Sequence, residues 1–182
     1  KKAYSFLENS YVHNLILLSA GSGKRLRPYT VSKPKCFVKI GKTTLIENLI
    51  KIVKKTRISK ITLVYGKNYH LYKKLKISLI KNQKFKTTNM LYSLFCSLKE
   101  LKNNIIISYT DINFSQKIIN RIFKEDDFIS IVVDKNWKNY WKKRSLNYLN
   151  DIETLKINKK GFIDNIGQKV INEKIDVQGQ YI

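Results

Sequence analysis

Cysteine and proline are scarce in this sequence, which contains two of each among its 182 residues. Cys36 and Cys96 lie far apart and form no C-x-x-C pair. We therefore expect neither a disulfide framework nor a zinc knuckle, and a reducing cytoplasmic setting is favoured. The chain also lacks a proline- or glycine-rich linker, since glycine contributes only seven residues. One main domain is predicted.

Long apolar runs are missing as well. The run Leu15-Ile16-Leu17-Leu18 is too short for the core of a signal peptide or for a membrane span. Hydrophobic residues nevertheless make up 43% of the chain and aromatic residues 12%, enough for a buried core. We expect a folded protein of the cytoplasm without a membrane span.

Acidic residues are few: 13 Asp and Glu stand against 36 Lys and Arg, giving a net charge of +23. Such an excess can indicate a nucleic-acid or anionic-membrane partner. The lysines are spread along the chain, however, and their abundance together with Ile, Asn and Tyr is typical of AT-rich coding sequence. No nucleic-acid partner is expected, although a polyanionic small substrate would be attracted.

Alternating strand and helix signals predict an α/β fold. Apolar, β-branched runs predict strands at residues 15–19, 60–65, 104–109 and 128–133, with a short extended piece at 36–41. Helical spacing of apolar residues predicts helices at 45–53 (capped by Thr43 or Thr44), 70–79, 89–101 and 118–123. A hairpin is predicted from 154–157 and 162–166 around a turn at 158–161. The alternation predicts an open, mostly parallel (Rossmann-like) mixed sheet flanked by helices.

A loop of small residues, glycines and a lysine follows the first predicted strand: Ser19-Ala20-Gly21-Ser22-Gly23-Lys24. Glycines in this position let backbone N–H groups approach phosphates. A Walker A loop would need glycine at Leu18 and Ser or Thr at Arg25, and a dinucleotide-binding fingerprint would need glycine at Leu26. Both of these phosphate loops are therefore excluded by spacing.

The remaining pattern is Gly-x-Gly-x-Arg-Leu-x-Pro-x-Thr followed by Lys33-Pro34-Lys35. It resembles the signature of nucleotidyltransferases of the nucleoside-diphosphate-sugar pyrophosphorylase type. The resemblance implies the sheet architecture of that superfamily in residues 14–182, after an N-terminal extension at 1–13. It also implies Mg²⁺-dependent joining of a nucleoside triphosphate to a phosphate-bearing substrate, with release of pyrophosphate. By the same resemblance, Ser19 to Lys24 bind the nucleotide with Arg25, and Lys35 acts at the reacting phosphoryl groups.

Asp111 follows the predicted strand at 104–109, at the carboxyl edge where open α/β sheets bind ligands. A carboxylate in this position suits Mg²⁺, which prefers oxygen ligands and is often shared with substrate phosphates. The superfamily usually has Gly-Asp at this point, whereas this chain has Thr110-Asp111. We therefore predict a metal ligand at Asp111 in a turn with a different backbone.

The segment Asn89-Met90-Leu91-Tyr92-Ser93-Leu94 resembles the Asn-x-x-Tyr-Ser-Leu segment of the phosphocholine and aminoalkylphosphonate cytidylyltransferase branch. The resemblance favours CTP as the nucleotide, with Asn89 and Ser93 presenting hydrogen-bonding groups to the base. The alternative is that Asn89 only caps a helix and Ser93 is solvated.

The substrate-binding residues are predicted in the last third of the chain, which resembles the same branch. Trp137 and Trp141 are candidates to bind an alkylammonium group by cation–π contact, or else they pack together on one helix face. Asp151 and Glu153 suit a primary ammonium. Lys169 falls where related enzymes place a lysine that contacts the substrate phosphate. Phosphocholine and 2-aminoethylphosphonate are both compatible with this set.

Members of the superfamily continue for several dozen residues beyond the segment Gly179-Gln180-Tyr181-Ile182 and supply a second metal-binding aspartate there. Because the sequence ends at Ile182, we expect an incomplete domain whose activity is in doubt. Two alternatives therefore stay open beside the cytidylyltransferase. One is a sugar-1-phosphate nucleotidyltransferase, and the other is a nucleotide-binding remnant without turnover.

Overall fold

A computed structural model of the chain describes residues 13–101, 104–144 and 146–181. Contacts between residues divide the chain into two units, residues 1–124 and residues 125–182. Residues 1–12 of the predicted N-terminal extension, and Ile182, lie outside the described residues. No helix in the described part is long and apolar enough to cross a bilayer.

The first unit is built on a four-stranded sheet in which every neighbouring pair is parallel. Its strands are β1 (His13–Ser19), β4 (Ile58–Tyr65), β5 (Ser78–Lys81) and β6 (Asn104–Tyr109), in the order β5-β4-β1-β6. The register aligns Ser19 with Tyr65, and Tyr65 with Lys81. The carboxyl ends of the strands therefore meet at one edge, where α/β folds bind ligands.

The remaining elements of this unit are short. They are the antiparallel pair β2 (Lys39–Ile40) and β3 (Thr43–Thr44), and the helices α1 (Leu45–Val53), α2 (Tyr69–Tyr72), α3 (Met90–Phe95) and α4 (Gln116–Ile122). Four 3-10 turns lie at Lys24–Leu26, Lys35–Phe37, Lys73–Leu75 and Leu98–Glu100. The predicted cap of α1 is confirmed: Thr44 and Glu47 form a reciprocal capping box, which satisfies two of the free N–H groups of the first turn.

The core of the first unit lies around β1. Leu15, Ile16 and Leu17 are fully buried, because a central parallel strand is covered on both faces. Leu15 and Leu17 belong to the same apolar cluster as side chains of α1 and α4, including Ile46 and Ile119. The apolar run thus forms the centre of the sheet, as its sequence predicted.

One predicted helix, at residues 70–79, is wrong in its second half. The helix α2 ends at Tyr72, a 3-10 turn follows, and Lys76 adopts a left-handed conformation with φ of 51°. The next residues form β5, which pairs in parallel with β4. A short stretch of apolar residues fits either a helix or a strand. Here its pairing with β4 makes it a strand.

Two further predictions need correction. The helix predicted at 89–101 is shorter, since α3 ends at Phe95 and the hydroxyl of Ser97 donates to the carbonyl of Leu94 at 2.6 Å, a local bond that competes with helix continuation. The strand predicted at 128–133 is reduced to β7 (Val133–Asp134). Phe128 is fully exposed, so the apolar residues there have no core against which a strand would pack. The extended piece at 36–41 starts as a 3-10 turn and is extended only in β2.

The second unit contains the predicted hairpin, formed by β8 (Glu153–Ile157) and β9 (Ile163–Lys169). Its other elements are β7, α5 (Trp137–Arg144), a 3-10 turn at Tyr148–Asn150, α6 (Glu173–Asp176) and β10 (Gln180–Tyr181), which pairs with β7. A small core of Trp137, Ile152 and Val177 joins α5 to the start of β8.

Candidate functional site

The glycine loop leaves the carboxyl end of β1 and turns sharply at Gly23. Gly23 has φ of 68°, a conformation that favours glycine. The N–H of Leu26 donates to the carbonyl of Gly23 at 3.1 Å. The buried hydroxyl of Thr30 donates to the same carbonyl at 2.6 Å. A hydrogen bond from Thr30, which belongs to the sequence motif, therefore fixes the second half of the loop.

The outer part of the loop faces open space. Four residues of this part are exposed: Gly21, Ser22, Lys24 and Arg25. A Cβ built on Gly21 would meet no heavy atom within 4 Å. Packing within the protein thus gives no reason for a glycine at position 21. A ligand that approaches the backbone closely, such as a phosphate, does give one.

Lys35 and Asp111 form an ion pair between Nζ and Oδ2, although they are 76 residues apart in sequence. Lys35 opens the 3-10 turn that follows the buried Pro34, and Asp111 follows the carboxyl end of β6. The side chains are 45% and 30% exposed, so a ligand can reach both. The predicted catalytic lysine and the predicted metal ligand therefore lie together.

A network of hydroxyl groups and one thiol lies beneath this pair. The hydroxyl oxygens of Ser19 and Tyr72 are 2.7 Å apart, and the hydroxyl of Thr110 donates to that of Ser19 at 3.1 Å. The sulfur of Cys36 lies 3.4 Å from the hydroxyl oxygen of Ser19. Burial raises the pKa of both the Cys36 thiol and the Tyr72 hydroxyl. Both groups are therefore protonated and neutral at physiological pH.

The residues of this edge fit a divalent metal ion held jointly with a ligand. No group of three or more His, Cys, Asp or Glu side chains gathers anywhere in the described residues, so a metal cage made by protein alone is not found there. Mg²⁺ is commonly bound by one or two carboxylates and completed by phosphate oxygens and water. Asp111, partly exposed beside the glycine loop, offers one such carboxylate.

Asn89 and Ser93 occupy the start of α3 in different ways. The exposed side chain of Asn89 caps the helix, accepting from the N–H of Tyr92 at 3.1 Å. Ser93 is buried, and its hydroxyl accepts from the amide of Asn82 at 3.0 Å. The cap predicted as an alternative for Asn89 is thus present, while Ser93 is not solvated.

Asn82 is a residue that sequence reasoning missed. It is fully buried at the end of β5, and its Nδ2 group also donates to the hydroxyl of Thr88 at 3.1 Å. Its Oδ1 accepts from the N–H of Lys84 at 2.9 Å. Asn82 therefore fixes the segment that leads to Asn89. Recognition of β5 would have been the signal, because it places Asn82 at the carboxyl edge of the sheet.

The predicted substrate residues lie in the second unit. Trp137 is 5% exposed and packs with Ile152, the residue between Asp151 and Glu153. Trp141 is partly buried, and the guanidinium of Arg144 lies over its ring at 4.5 Å from the centroid.

The acidic and basic candidates lie on the hairpin of the same unit or just before it. Asp151 and Glu153 are exposed, and Lys169 is opposite Glu153 in the strand register. Trp137 thus packs against the residue between the two acidic candidates, and Lys169 is placed beside one of them.

The family model for the MobA-like NTP transferase domain matches residues 15–162. The chain belongs to the MobA-like NTP transferase family. The match includes the glycine loop, Lys35 and Asp111, whereas Lys169 lies beyond it. The predicted nucleotidyltransferase class is confirmed.

Individual NTP transferases are also similar to the chain. CTP:phosphoglutamine cytidylyltransferase of Campylobacter jejuni is 37% identical in an alignment that covers 93% of this chain and 70% of that protein. Choline-phosphate cytidylyltransferase of Streptococcus pneumoniae is 32% identical over 117 residues, which cover 62% of this chain and 51% of that protein. Both relatives are cytidylyltransferases, in agreement with the branch that the sequence resembles.

The fold is shared with solved NTP transferases. The inositol-1-phosphate CTP transferase from T. maritima matches with a TM-score of 0.72 at 22% identity, over 94% of this chain and 68% of that one. The predicted open, mostly parallel sheet flanked by helices is confirmed.

Proposed function

We propose that this NTP transferase is a cytidylyltransferase that joins the CMP part of CTP to the phosphoryl group of a phosphorylated amino acid amide of the phosphoglutamine class. The observation that carries the transfer reaction is the placement of the glycine loop and of the Lys35–Asp111 pair at the neighbouring carboxyl ends of β1 and β6. The choice of CTP and of the substrate class is supported by the similarity to the enzyme of Campylobacter jejuni.

The reaction is a displacement at the α-phosphorus of CTP. A phosphoryl oxygen of the substrate forms a bond to that phosphorus, the bond to the oxygen bridging to the β-phosphate breaks, and pyrophosphate leaves. Because the nucleophile is already an anion, alignment and neutralisation of charge suffice. The backbone of Ser19 to Lys24 and the guanidinium of Arg25 hold the β- and γ-phosphates, and Lys35 faces the α-phosphate. A divalent ion on Asp111 would supply further neutralisation of the phosphate oxygens.

The base is assigned to the start of α3. The Oδ1 atom of Asn89 is used by the helix cap, and the Nδ2 group of the same exposed side chain is a donor that suits the O2 or N3 acceptor of cytosine. Ser93 and Asn82 hold that turn in place from behind. We therefore give Asn89 the contact with the base and Ser93 a supporting role.

An amino acid substrate fits the second unit better than choline does. A quaternary ammonium needs an open aromatic face, but Trp137 is buried and the ring of Trp141 is covered by the guanidinium of Arg144. A guanidinium held on an aromatic ring suits a carboxylate. The exposed carboxylates of Asp151 and Glu153 suit the ammonium of the same amino acid.

Release of pyrophosphate tests the proposal. The protein is incubated with Mg²⁺ and each of CTP, UTP, ATP and GTP, in combination with phosphoglutamine, phosphocholine, inositol 1-phosphate or glucose 1-phosphate. We expect release with CTP and phosphoglutamine. Release only with phosphocholine or a sugar phosphate would contradict the substrate class, and release with none of these pairs would contradict the transfer reaction itself.

Two matched variants identify the site. Lys35→Ala should lower the rate of release by about 100-fold or more, as expected for loss of a charge aimed at the reacting phosphate. Lys42→Ala removes an exposed lysine of the same unit and should leave the rate within about twofold. Equal losses in the two variants would show that general positive charge, not the Lys35 position, matters.

A further inference from the structure

The side chain of Thr110 connects the two halves of the candidate site. Thr110 is 4% exposed and directly precedes Asp111 at the end of β6. Its hydroxyl donates to the hydroxyl of Ser19 at 3.1 Å, and the carbonyl of Leu18 is a second acceptor at 3.4 Å. Ser19 is the last residue of β1 and the first of the glycine loop. One hydroxyl therefore ties the residue before the metal ligand to the start of the phosphate loop.

Ser19 is itself held from the opposite side. Tyr72, which is fully buried in α2, brings its hydroxyl oxygen to 2.7 Å from that of Ser19 and donates to the carbonyl of Ser19 at 3.3 Å. The thiol of Cys36, next to Lys35, lies 3.4 Å from the same hydroxyl. The network thus includes Ser19, which starts the loop, and the residues next in sequence to Lys35 and Asp111.

The surface features alone do not fix this geometry. Lys35 and Asp111 are both partly exposed, and an exposed ion pair is a weak constraint. The bonds that the buried hydroxyls of Thr110 and Tyr72 make to Ser19 are stronger constraints, because a buried polar group has little access to water if its protein partner is lost. The pairing of β1 with β6 aligns the two strands as far as Leu18 and Tyr109. Beyond that pair, the bond between Thr110 and the partly buried Ser19 links the start of the glycine loop to the residue before Asp111.

We propose that Thr110 and Ser19 are positioning residues that hold the phosphate loop and Asp111 in the relative arrangement needed for transfer. The consequence for turnover rests on the proposed nucleotidyl transfer, whereas the consequence for the loop does not. Neither hydroxyl is assigned a contact with the reacting atoms. Thr110 acts through Asp111, and Ser19 acts through the loop that it starts.

The test compares Thr110→Val, which removes only the hydroxyl, with Thr110→Ser, which keeps it. With CTP and phosphoglutamine, we expect kcat to fall about 5- to 10-fold in the valine variant, as for loss of one hydrogen bond. The serine variant should recover to within about twofold. Ser19→Ala should lower kcat at least as much as Thr110→Val, and the double variant should be no worse than Ser19→Ala, since both remove the same bond. The folded fraction, followed by circular dichroism, corrects each kcat for unfolding.

Amide hydrogen exchange without any ligand gives a second readout that is independent of the reaction. Exchange in residues 20–26 should be faster in Thr110→Val and Ser19→Ala than in the wild type and in Thr110→Ser. Exchange in α1 should be unchanged. If the wild type releases no pyrophosphate, the proposed function fails while loop exchange still decides the positioning role. Three results would each overturn the positioning role. They are unchanged loop exchange in Thr110→Val, additive losses of kcat in the double variant, and unchanged kcat in Thr110→Val when the wild type is active.

Discussion

Alanine substitutions at the two glycines of the glycine loop should have different effects. Gly23→Ala should destabilise the fold, whereas Gly21→Ala should stabilise it slightly and weaken nucleotide binding. Gly21 and Gly23 are two residues apart and accept the same chemical change, so each variant is the control for the other. Gly23 has φ of 68°, whereas Gly21 is not among the glycines with positive φ. A Cβ would lie 3.2 Å from the Cβ of Thr30 at position 23 and would meet nothing within 4 Å at position 21.

The expected magnitudes follow from these two geometries. A side chain in the left-handed region costs about 1–2 kcal/mol, so Gly23→Ala should lower the free energy of unfolding by about that amount. At position 21 an alanine restricts the unfolded chain and should raise the free energy of unfolding by about 0.4–1 kcal/mol. The methyl group of Gly21→Ala would lie in open space beside the backbone that is proposed to hold the phosphates. We expect its Kd for CTP to rise about tenfold or more, equivalent to about 1.4 kcal/mol.

Urea denaturation and isothermal titration with CTP and Mg²⁺ measure the two effects separately. The reasoning about the ligand is refuted if Gly21→Ala binds CTP as tightly as the wild type. The reasoning about the loop conformation is refuted if Gly23→Ala unfolds at the same urea concentration as the wild type.

Three further predictions concern other parts of the chain. Asp111→Asn should abolish release of pyrophosphate yet change the free energy of unfolding by no more than about 1 kcal/mol, because its ion pair with Lys35 is exposed; urea denaturation and the release assay measure the two. Asn82→Ala should destabilise the fold by about 1–3 kcal/mol, since it leaves the buried hydroxyl of Ser93 without its donor; urea denaturation with the exposed neighbour variant Gln83→Ala as control checks this. The pKa of Asp176 is lowered from 3.8 to about 2, first by the N–H of Asn172 and then by Lys156. Its stabilisation is therefore complete above pH 3.8 and is lost as pH falls towards 2, so acid unfolding of the second unit should be less steep in Asp176→Asn.

The centre of the fold and of the site could be predicted from sequence because the signals there are local. Leu15 to Leu17 belong to a short apolar run that ends in small residues and glycine, which is typical of a strand buried on both faces, and the structure buries all three fully. The glycine loop follows at once, and the motif fixes its residues by spacing. Asp111 is predicted from its place after the strand predicted at 104–109, and the contact with Lys35 agrees with that place. The structure makes this strand, β6, a partly exposed edge strand of the sheet.

The parts that sequence reasoning mispredicts depend on distant contacts. The apolar residues within 78–81, Leu79 and Ile80, suit a helix as well as a strand, and pairing with β4 makes this segment a strand. Asn82 is missed for the same reason, because a buried polar residue at a sheet edge is recognised only once the edge is known. The apolar residues at 128–132 predict a strand by composition, but they have no core to bury them: Phe128 and Ile129 are exposed.

The surroundings of the loop also bear on how transfer proceeds. Besides the hydroxyl of Thr110, three nucleophilic groups contact one another at the start of the loop: the hydroxyls of Ser19 and Tyr72 and the thiol of Cys36. Burial raises the pKa of the tyrosine and of the cysteine, so neither provides an anion at neutral pH. The hydroxyl of Ser19 has only these weak acids and Thr110 as side-chain partners among the bonds that hold it in the described part of the chain, and none is a base that would activate it.

A covalent intermediate between the nucleotide and one of these three groups would need that group as an anion, and the burial that forms the network works against that. The substrate phosphate, in contrast, arrives already charged. We therefore expect a single displacement on CTP, with inversion at the α-phosphorus. The test uses CTP in which sulfur replaces one oxygen at the α-phosphorus, in a single configuration, and determines the configuration of the product. Retention would require a covalent step that this buried network disfavours.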